Sequence, residues 1–418
     1  MQELLSALQA VADAFAPDGI GPKTTAEKAW FPRPLPWSII GSIVEAIAGE
    51  PEISALTHLH QVSLGASQGQ RLHERLLASA LVKRTRALGT AAAAVQELLD
   101  LARANEGHAR ITMLLAGVDT PGAVEVMPGV EIVPFADLVM PDCFKDLVNP
   151  RLWPMSRDTQ PVAPSAALVS RRLRYSPALT PEEDHKAEFP MEEVNRLQAA
   201  VNCIGLAAGR QPAVFKVLVE DDDLRFPLPS SGVLFTSPHW GGGAAAEPFA
   251  IDVARVREIA AHYLGFGSDR APLDTAMLRL ADARSGWRLE DRALDLGIAL
   301  ETVLMHAPGG GGQDANAEIS FKLGLRAAWL VGADRDERVE VYKQVKRLYA
   351  LRSKAAHSGR IKPAKARTWR DLEAEINAGA DLAGRIICAV LARGTWPDWE
   401  ELVLAGAGSG AHRMETAG

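Results

Sequence analysis

Residues 335–357, RDERVEVYKQVKRLYALRSKAAH, read as one long helix. At about 100° per residue, Val341, Val345, Leu348 and Ala356 fall on one apolar stripe, flanked by Tyr342 and Tyr349. Arg352 falls inside that stripe, four residues after Leu348 and seven after Val345. A guanidinium facing a core is costly unless it is paired. From Val341 to Arg370 there are ten basic residues and no acidic one, among them Lys343, Lys346, Lys354, Arg360, Lys362 and Lys365. The whole chain carries a formal charge of −7, so this stretch is a local reversal of sign. Such a run is either a solvated helix face or a surface for phosphates.

Working outward, the upstream helices repeat the oddity. On a helix expected over 289–306, Glu301 lies among Leu294, Gly297 and Leu304, on the face expected to be buried, whereas Asp291, Asp295 and His306 lie on the other. On the next helix, expected over 315–331, Arg326 lies beside Ile319, Leu323 and Leu330. Three helices thus each point one charged residue inward. The pattern fits a structural ion-pair network or a partly buried polar site. His357 follows Arg352 by five residues, about 140° around an ideal helix, and Ser358-Gly359 is a natural helix stop. An imidazole there can exchange a proton near neutral pH, and a guanidinium can grip a phosphate through two hydrogen bonds.

The stretch LYALRSKAAHSG (348–359) resembles the R-x4-6-H motif of HEPN domains, and specifically the Apea-like HEPN family. DRALDLGIALETVL (291–304) and EISFKLGLRAAWL (318–330) precede it in an order and spacing similar to the family's, over about 130 residues. The resemblance implies an all-α helical bundle that dimerises, so that two motifs meet in one cleft, and a metal-independent endoribonuclease without cofactors. Arg352 and His357 would then be catalytic. His357 would move a proton at the ribose 2′-OH or the leaving oxygen, and Arg352 would stabilise charge on the phosphate. The products would be a 2′,3′-cyclic phosphate and a 5′-OH. Ser353 takes the place of the polar residue after the arginine, and Glu301 would orient Arg352 or Arg326. Lys343, Lys346, Lys354, Arg360 and Lys362 would steer RNA by charge. The partners implied are RNA, a second copy of the chain, and an activator or phage-derived trigger, in an antiviral or toxin-like setting. A non-catalytic module that binds RNA or nucleotide, or only holds a dimer, is the alternative.

The rest of the chain sets the frame. Its 418 residues are 47% hydrophobic and 23% charged, which excludes disorder throughout, a collagen and a coiled coil. Cys143, Cys203 and Cys388 lie far apart, which excludes a disulfide scaffold and a cysteine zinc site and fits a reducing compartment. Residues 1–15 read as an amphipathic helix through Leu4, Leu5, Leu8, Val11 and Phe15 rather than a signal peptide. The apolar run 37–49 is too short to span a bilayer. A soluble cytoplasmic protein with no membrane partner is expected. The fold expected is an α+β region over 1–245, an all-α HEPN bundle over 246–400 and a flexible tail over 401–418. In the first region, a helical stretch covers 71–104 and strands are expected at 110–116, 124–127, 130–134, 167–175, 213–220 and 232–236. Residues 239–246 read as a linker.

Four further signals carry less. Asp221–Asp223 reads as a polar turn rather than a metal site. His58-Leu59-His60 alternates like a strand, but no third metal ligand is evident, so no metal is expected. Residues 65–69, GASQG, fit G-x-S-x-G by their letters, yet the strand before Ser67 is poor and no acid–histidine order follows. The glycine run 308–312 lacks the Gly-Lys-Ser/Thr of a phosphate-binding loop.

Overall fold

The computed structural model describes residues 1–14, 35–58, 60–61, 70–71, 73–138, 163–175, 178–179, 191–221, 231–236, 248–306, 318–363 and 367–404. Ser67 and its glycines, the 239–246 and 308–312 runs, Cys143, Lys365 and most of the C-terminal tail lie outside the described residues.

The chain begins with helices. These are α1 (Gln2–Ala14), α2 (Trp37–Ala48), α3 (Pro51–Leu56), α4 (Glu74–Leu88) and α5 (Ala91–Ala104). Leu4, Leu8, Ile40, Ile43, Ile47, Leu77 and Leu81 close one apolar core among them. The periodicity that marks residues 1–15 as amphipathic is thus the one that buries α1. The single helical stretch expected over 71–104 is instead two helices. Gly89 adopts φ 83° and its N–H donates to Thr85 O at 2.7 Å, which ends α4. Thr90 then caps α5 by accepting from Ala93 N at 3.3 Å. Arg71 belongs to neither helix: β1 (His60–Gln61) pairs antiparallel with β2 (Gln70–Arg71). His58 sits in the turn after α3, its N–H bonded to Ala55 O, while His60 starts β1; Leu59 between them lies outside the described residues.

A mixed layer follows. The strands are β3 (Gly107–Ala116), β4 (Val118–Asp119), β5 (Val124–Met127), β6 (Val130–Pro134), β7 (Ala166–Tyr175), β8 (Ala178–Leu179), β9 (Ala213–Asp221), β10 (Ser231–Thr236) and β11 (Phe249–Ala250). Six of them form one antiparallel sheet in the order β10-β9-β3-β7-β6-β5, with β3 and β7 at its centre. The strands expected at 124–127 and 130–134 form as read, joined by Pro128 and Gly129. Alternation along β3 sorts its side chains. Ile111, Met113 and Leu115 enter the main core, and Leu114 and Ala116 join Ala167, Val169, Phe215 and Leu218 in a second cluster. Helix α6 (Met191–Ala208) covers the main face through Val194, Leu197, Val201 and Ile204. Asp221 ends β9; the two aspartates after it lie outside the described residues.

From Val253 onward every described element is helical: α7 (Val253–Leu264), α8 (Ala271–Ser285), α9 (Leu289–Met305), α10 (Ile319–Val331), α11 (Arg335–Ser358), α12 (Trp369–Arg393) and α13 (Trp399–Leu404). The chain is therefore mixed in its first part and helical in its second. Thr368 and Asp371 form a capping box that starts α12 at Trp369. Close approach sets the packing: a Cβ on Gly379 of α12 would stand 2.4 Å from Leu348 of α11 and 2.8 Å from Leu296 of α9. The expected division at residue 245 does not divide the core. Met113, Leu197, Val217, Leu280, Leu296, Val345 and Ile386 share one buried cluster, so the sheet, α6 and the C-terminal helices bury their faces together. The parallel pair β4–β11 adds a backbone link, with Phe249 N donating to Gly117 O at 3.2 Å. No helix among the described residues is long and apolar enough to cross a membrane.

Candidate functional site

Helix α11 presents the charged stretch read from the sequence. Asp334 caps its N-terminus by accepting from Glu337 N at 2.9 Å, and Gly359, with φ 64°, ends it. Val341, Val345 and Leu348 are buried as expected. The fourth stripe residue is Ala355, and Ala356 is exposed, because the last turns of α11 pack against a separate small cluster of Ala293, Ile361, Leu372 and Ile376.

Arg352 does face inward, and Glu301 of α9 meets it. Arg352 Nη2 donates to Glu301 Oε2 at 3.2 Å, with 28% and 25% of the two side chains exposed. The contact needs Gly297, since a Cβ there would stand 2.3 Å from Arg352 Cγ. The stem of the arginine thus lies in the space a side chain on α9 would fill. The Tyr349 ring flanks the guanidinium at 5.8 Å. The pair is half satisfied: Arg352 Nε and Glu301 Oε1 are buried without a hydrogen-bond partner among the described residues. Burial pushes the Glu301 carboxyl above its usual value, with Arg352 opposing that shift.

Arg326, the third inward charge, does not join this pair. Its Nη1 donates to Leu304 O at 2.6 Å, where it satisfies the C-terminal end of α9, and its guanidinium lies 5.1 Å from the Trp399 ring centroid. Burial lowers its pKa. Of the two partners expected for Glu301, the structure brings together Arg352 alone. Asp295, expected on a solvated face, is 18% exposed and bonded to Arg279 at 3.0 Å, and burial raises its pKa. Asp295 is covered because α8 packs along the flank of α9 that carries it.

His357 is exposed in the last turn of α11, and Ser353 is half-buried. Lys343, Lys346, Lys354, Arg360 and Lys362 are all exposed. They are not equally available. Lys343 pairs with Glu340 at 2.9 Å, and Lys346 lies 5.4 Å over the Tyr342 ring. Arg347 and Arg367 share Glu375, at 3.5 and 2.6 Å. Lys354, Arg360 and Lys362 have no ion-pair partner among the described residues, and they flank His357. The open positive charge therefore sits at the C-terminal end of α11. Among the described residues no three His, Cys, Asp or Glu side chains gather as a metal site.

Sequence reasoning missed two buried cations. Arg292 of α9 is 6% exposed; its Nε donates to Ala283 O at 2.6 Å and its Nη2 to Asn377 Oδ1. Arg284 of α8 has 7% of its side chain exposed, donates to Gly205 O at 2.7 Å, and has its pKa lowered by burial. Helical spacing could have found both. Arg292 precedes Leu296 by four residues and Ala299 by seven, and Arg284 follows Leu280 by four and Met277 by seven. No family model, curated protein or solved structure matches the chain.

Proposed function

We propose that the C-terminal helices form a HEPN-type, metal-independent endoribonuclease module, with Arg352 and His357 as its catalytic pair. The observation that carries this reading is the state of Arg352. It is held at one nitrogen by Glu301, partly open to solvent, and keeps a second nitrogen without a hydrogen-bond partner among the described residues. A buried polar atom left unsatisfied calls for an explanation, and a catalytic role is one. Five residues on, an exposed imidazole stands among Lys354, Arg360 and Lys362. The chemistry available is transfer of the ribose 2′-OH proton to His357, in-line attack on the adjacent phosphorus, and charge stabilisation by the guanidinium. The bond to the 5′-oxygen breaks, leaving a 2′,3′-cyclic phosphate and a 5′-OH. The angle of about 140° between positions five apart on one helix favours a dimer, with Arg352 acting beside His357 of the partner subunit. An antiviral or toxin-like role, with a trigger acting through the mixed region, completes the proposal.

The test is cleavage of end-labelled RNA by purified protein without metal. Wild type yields cyclic-phosphate ends, and His357→Ala and Arg352→Ala each lose at least about 100-fold in rate. Equal cleavage by all three proteins overturns the assignment. One observation favours the second reading, a non-catalytic RNA or nucleotide module: the Glu301 carboxylate already occupies part of the Arg352 fork. In that case the protein binds RNA with an affinity that falls with salt, and no cyclic-phosphate product forms.

A further inference from the structure

At one end of the helical bundle, three helices share a small core. The last turns of α11 give it Ala355, the loop after α11 gives Ile361, and the first turns of α9 and α12 give Ala293, Leu372 and Ile376. Ile361 N donates to Glu290 Oε1 at 3.4 Å, which ties that loop to the start of α9. Trp369 is the first residue of α12, three before Leu372 and seven before Ile376. It therefore continues the stripe of those two residues by one turn, beyond its buried part, and is 55% exposed. Other exposed rings have neighbours: Arg75 lies 5.9 Å over Trp37, and Phe321 stands edge-on to Tyr342 at 6.1 Å. The Trp369 indole has no ring, cation or hydrogen-bond partner among the described residues.

The charge around this small core stays lopsided once its ion pairs are counted. The carboxylates on the first turns of α9 and α12 are engaged. Glu290 accepts from Ile361 N, Asp291 stands 3.7 Å from Arg288, and Asp371 accepts from Thr368 N at 2.7 Å. Glu373 lies 3.6 Å from Arg292, and Glu375 is shared by Arg347 and Arg367. Lys354, Arg360, Lys362 and Arg370 are exposed, and among the described residues none of them has a carboxylate in ion-pair reach.

We propose that Trp369 is a base-stacking site: its indole face holds one unpaired base of an RNA strand whose phosphates run past Lys354, Arg360, Lys362 and Arg370. A ring set among cations suits a single strand, because each base offers a flat face to the ring and each phosphate a charge to the cations. A duplex keeps its bases stacked inside and offers the ring far less. A second copy seated symmetrically on Trp369 would set these cations against their own counterparts, which repel. The inference rests on the RNA-binding part of the function proposed above and needs no cleavage, since Trp369 and Arg370 take no part in the chemistry assigned to Arg352 and His357.

The test is fluorescence anisotropy of two labelled strands titrated with the full chain at one ionic strength: 2′-O-methyl decaadenylate and an abasic 2′-O-methyl backbone of the same length. The methyl group blocks the 2′-oxygen, so binding is read apart from cleavage. The adenylate is expected to bind about 5-fold or more tightly than the abasic strand. Trp369→Ala, which alters an exposed side chain, removes that advantage and leaves the abasic strand unaffected. Trp369→Phe keeps a ring and restores most of it. Lys362→Gln/Arg370→Gln weakens both strands and flattens their dependence on salt. Equal binding of the two strands by the wild type overturns the stacking site, as does an advantage that survives in Trp369→Ala. If Trp369→Ala instead turns a dimer into monomers in sedimentation while adenylate binding persists, the ring belongs to a second copy and the proposal equally fails. Failure of the nuclease reading gives a different result: ordinary RNA stays uncut while adenylate binding still depends on Trp369, which supports the stacking site.

Discussion

The two halves of α9 hold their arginines in opposite ways. Toward its N-terminus, Arg292 is nearly sealed from solvent and bonded to a backbone carbonyl and an amide oxygen. Two turns on, Gly297 and Glu301 receive Arg352 from α11, partly open and bonded to a carboxylate. A guanidinium fixed by neutral oxygens keeps its charge and becomes part of the frame. One fixed by a carboxylate is partly neutralised, and two atoms of that pair stay unsatisfied among the described residues. The first arrangement suits a fixed part of the frame; the second suits a group that exchanges one partner for another. Substitutions at each end can break this contrast.

The largest effect is expected at the sealed end. Arg292→Met removes the donors to Ala283 O and Asn377 and leaves the carbonyl of the buried Ala283 without that partner. Hydrogen bonds from charged donors contribute about 1.5–3 kcal/mol each, so the full chain is expected to lose about 3 kcal/mol. A lower urea midpoint with an unchanged slope checks it. A loss below about 0.5 kcal/mol, within the range of ordinary surface changes, would mean that Arg292 is not part of the frame.

At the open end, Gly297→Ala tests whether Arg352 depends on the space above α9. The new methyl would stand 2.3 Å from Arg352 Cγ, so the arginine or the helix must move. Overpacking of this kind costs about 1–3 kcal/mol, and the displaced guanidinium loses Glu301. RNA cleavage or binding should fall with Gly297→Ala more than its stability loss explains. Normal RNA activity together with reduced stability would assign Gly297 to packing alone.

Much of this was readable from the chain, for physical reasons that differ by region. Strands β5 and β6 and helix α11 bury one face on a regular period, so their limits follow from spacing. The apolar stripe of α11 was legible down to the residue that breaks it, because an arginine at a core position stands out against Val345 and Leu348. Its partner Glu301 was legible by the same rule, but the partner of Arg326 was not: that acceptor is the backbone carbonyl of Leu304, which no side-chain pattern reports. The Ala355–Ala356 exchange reflects a second, smaller core under the end of α11 that periodicity over one helix cannot reveal. The union of sheet and helices into one core was hidden too, since the composition changes at the glycine run near 245 while the packing does not.

The smallest effect, and the most discriminating, is the pH dependence of Glu301→Gln. Burial is the larger influence on Glu301 and raises its pKa above the ordinary glutamate value of 4.5, while Arg352 draws it back. The folded chain therefore holds this proton more tightly than the unfolded chain. Between the unfolded value and the raised folded value, stability falls as pH rises; above both, the cost is constant. Glutamine has no proton to lose. Stability of the wild type relative to Glu301→Gln should then be greatest in acid, decline through a window that opens near 4.5, and level off beyond it. Urea unfolding of both proteins from about pH 4 to 8 measures the difference. A difference that instead grows with pH would show attraction to Arg352 outweighing burial. Arg352 would then be as firmly held as Arg292, and the contrast between the two halves of α9 would disappear. A decline as expected means that attraction to Arg352 does not offset the burial of Glu301, which keeps the contrast between the two arginines.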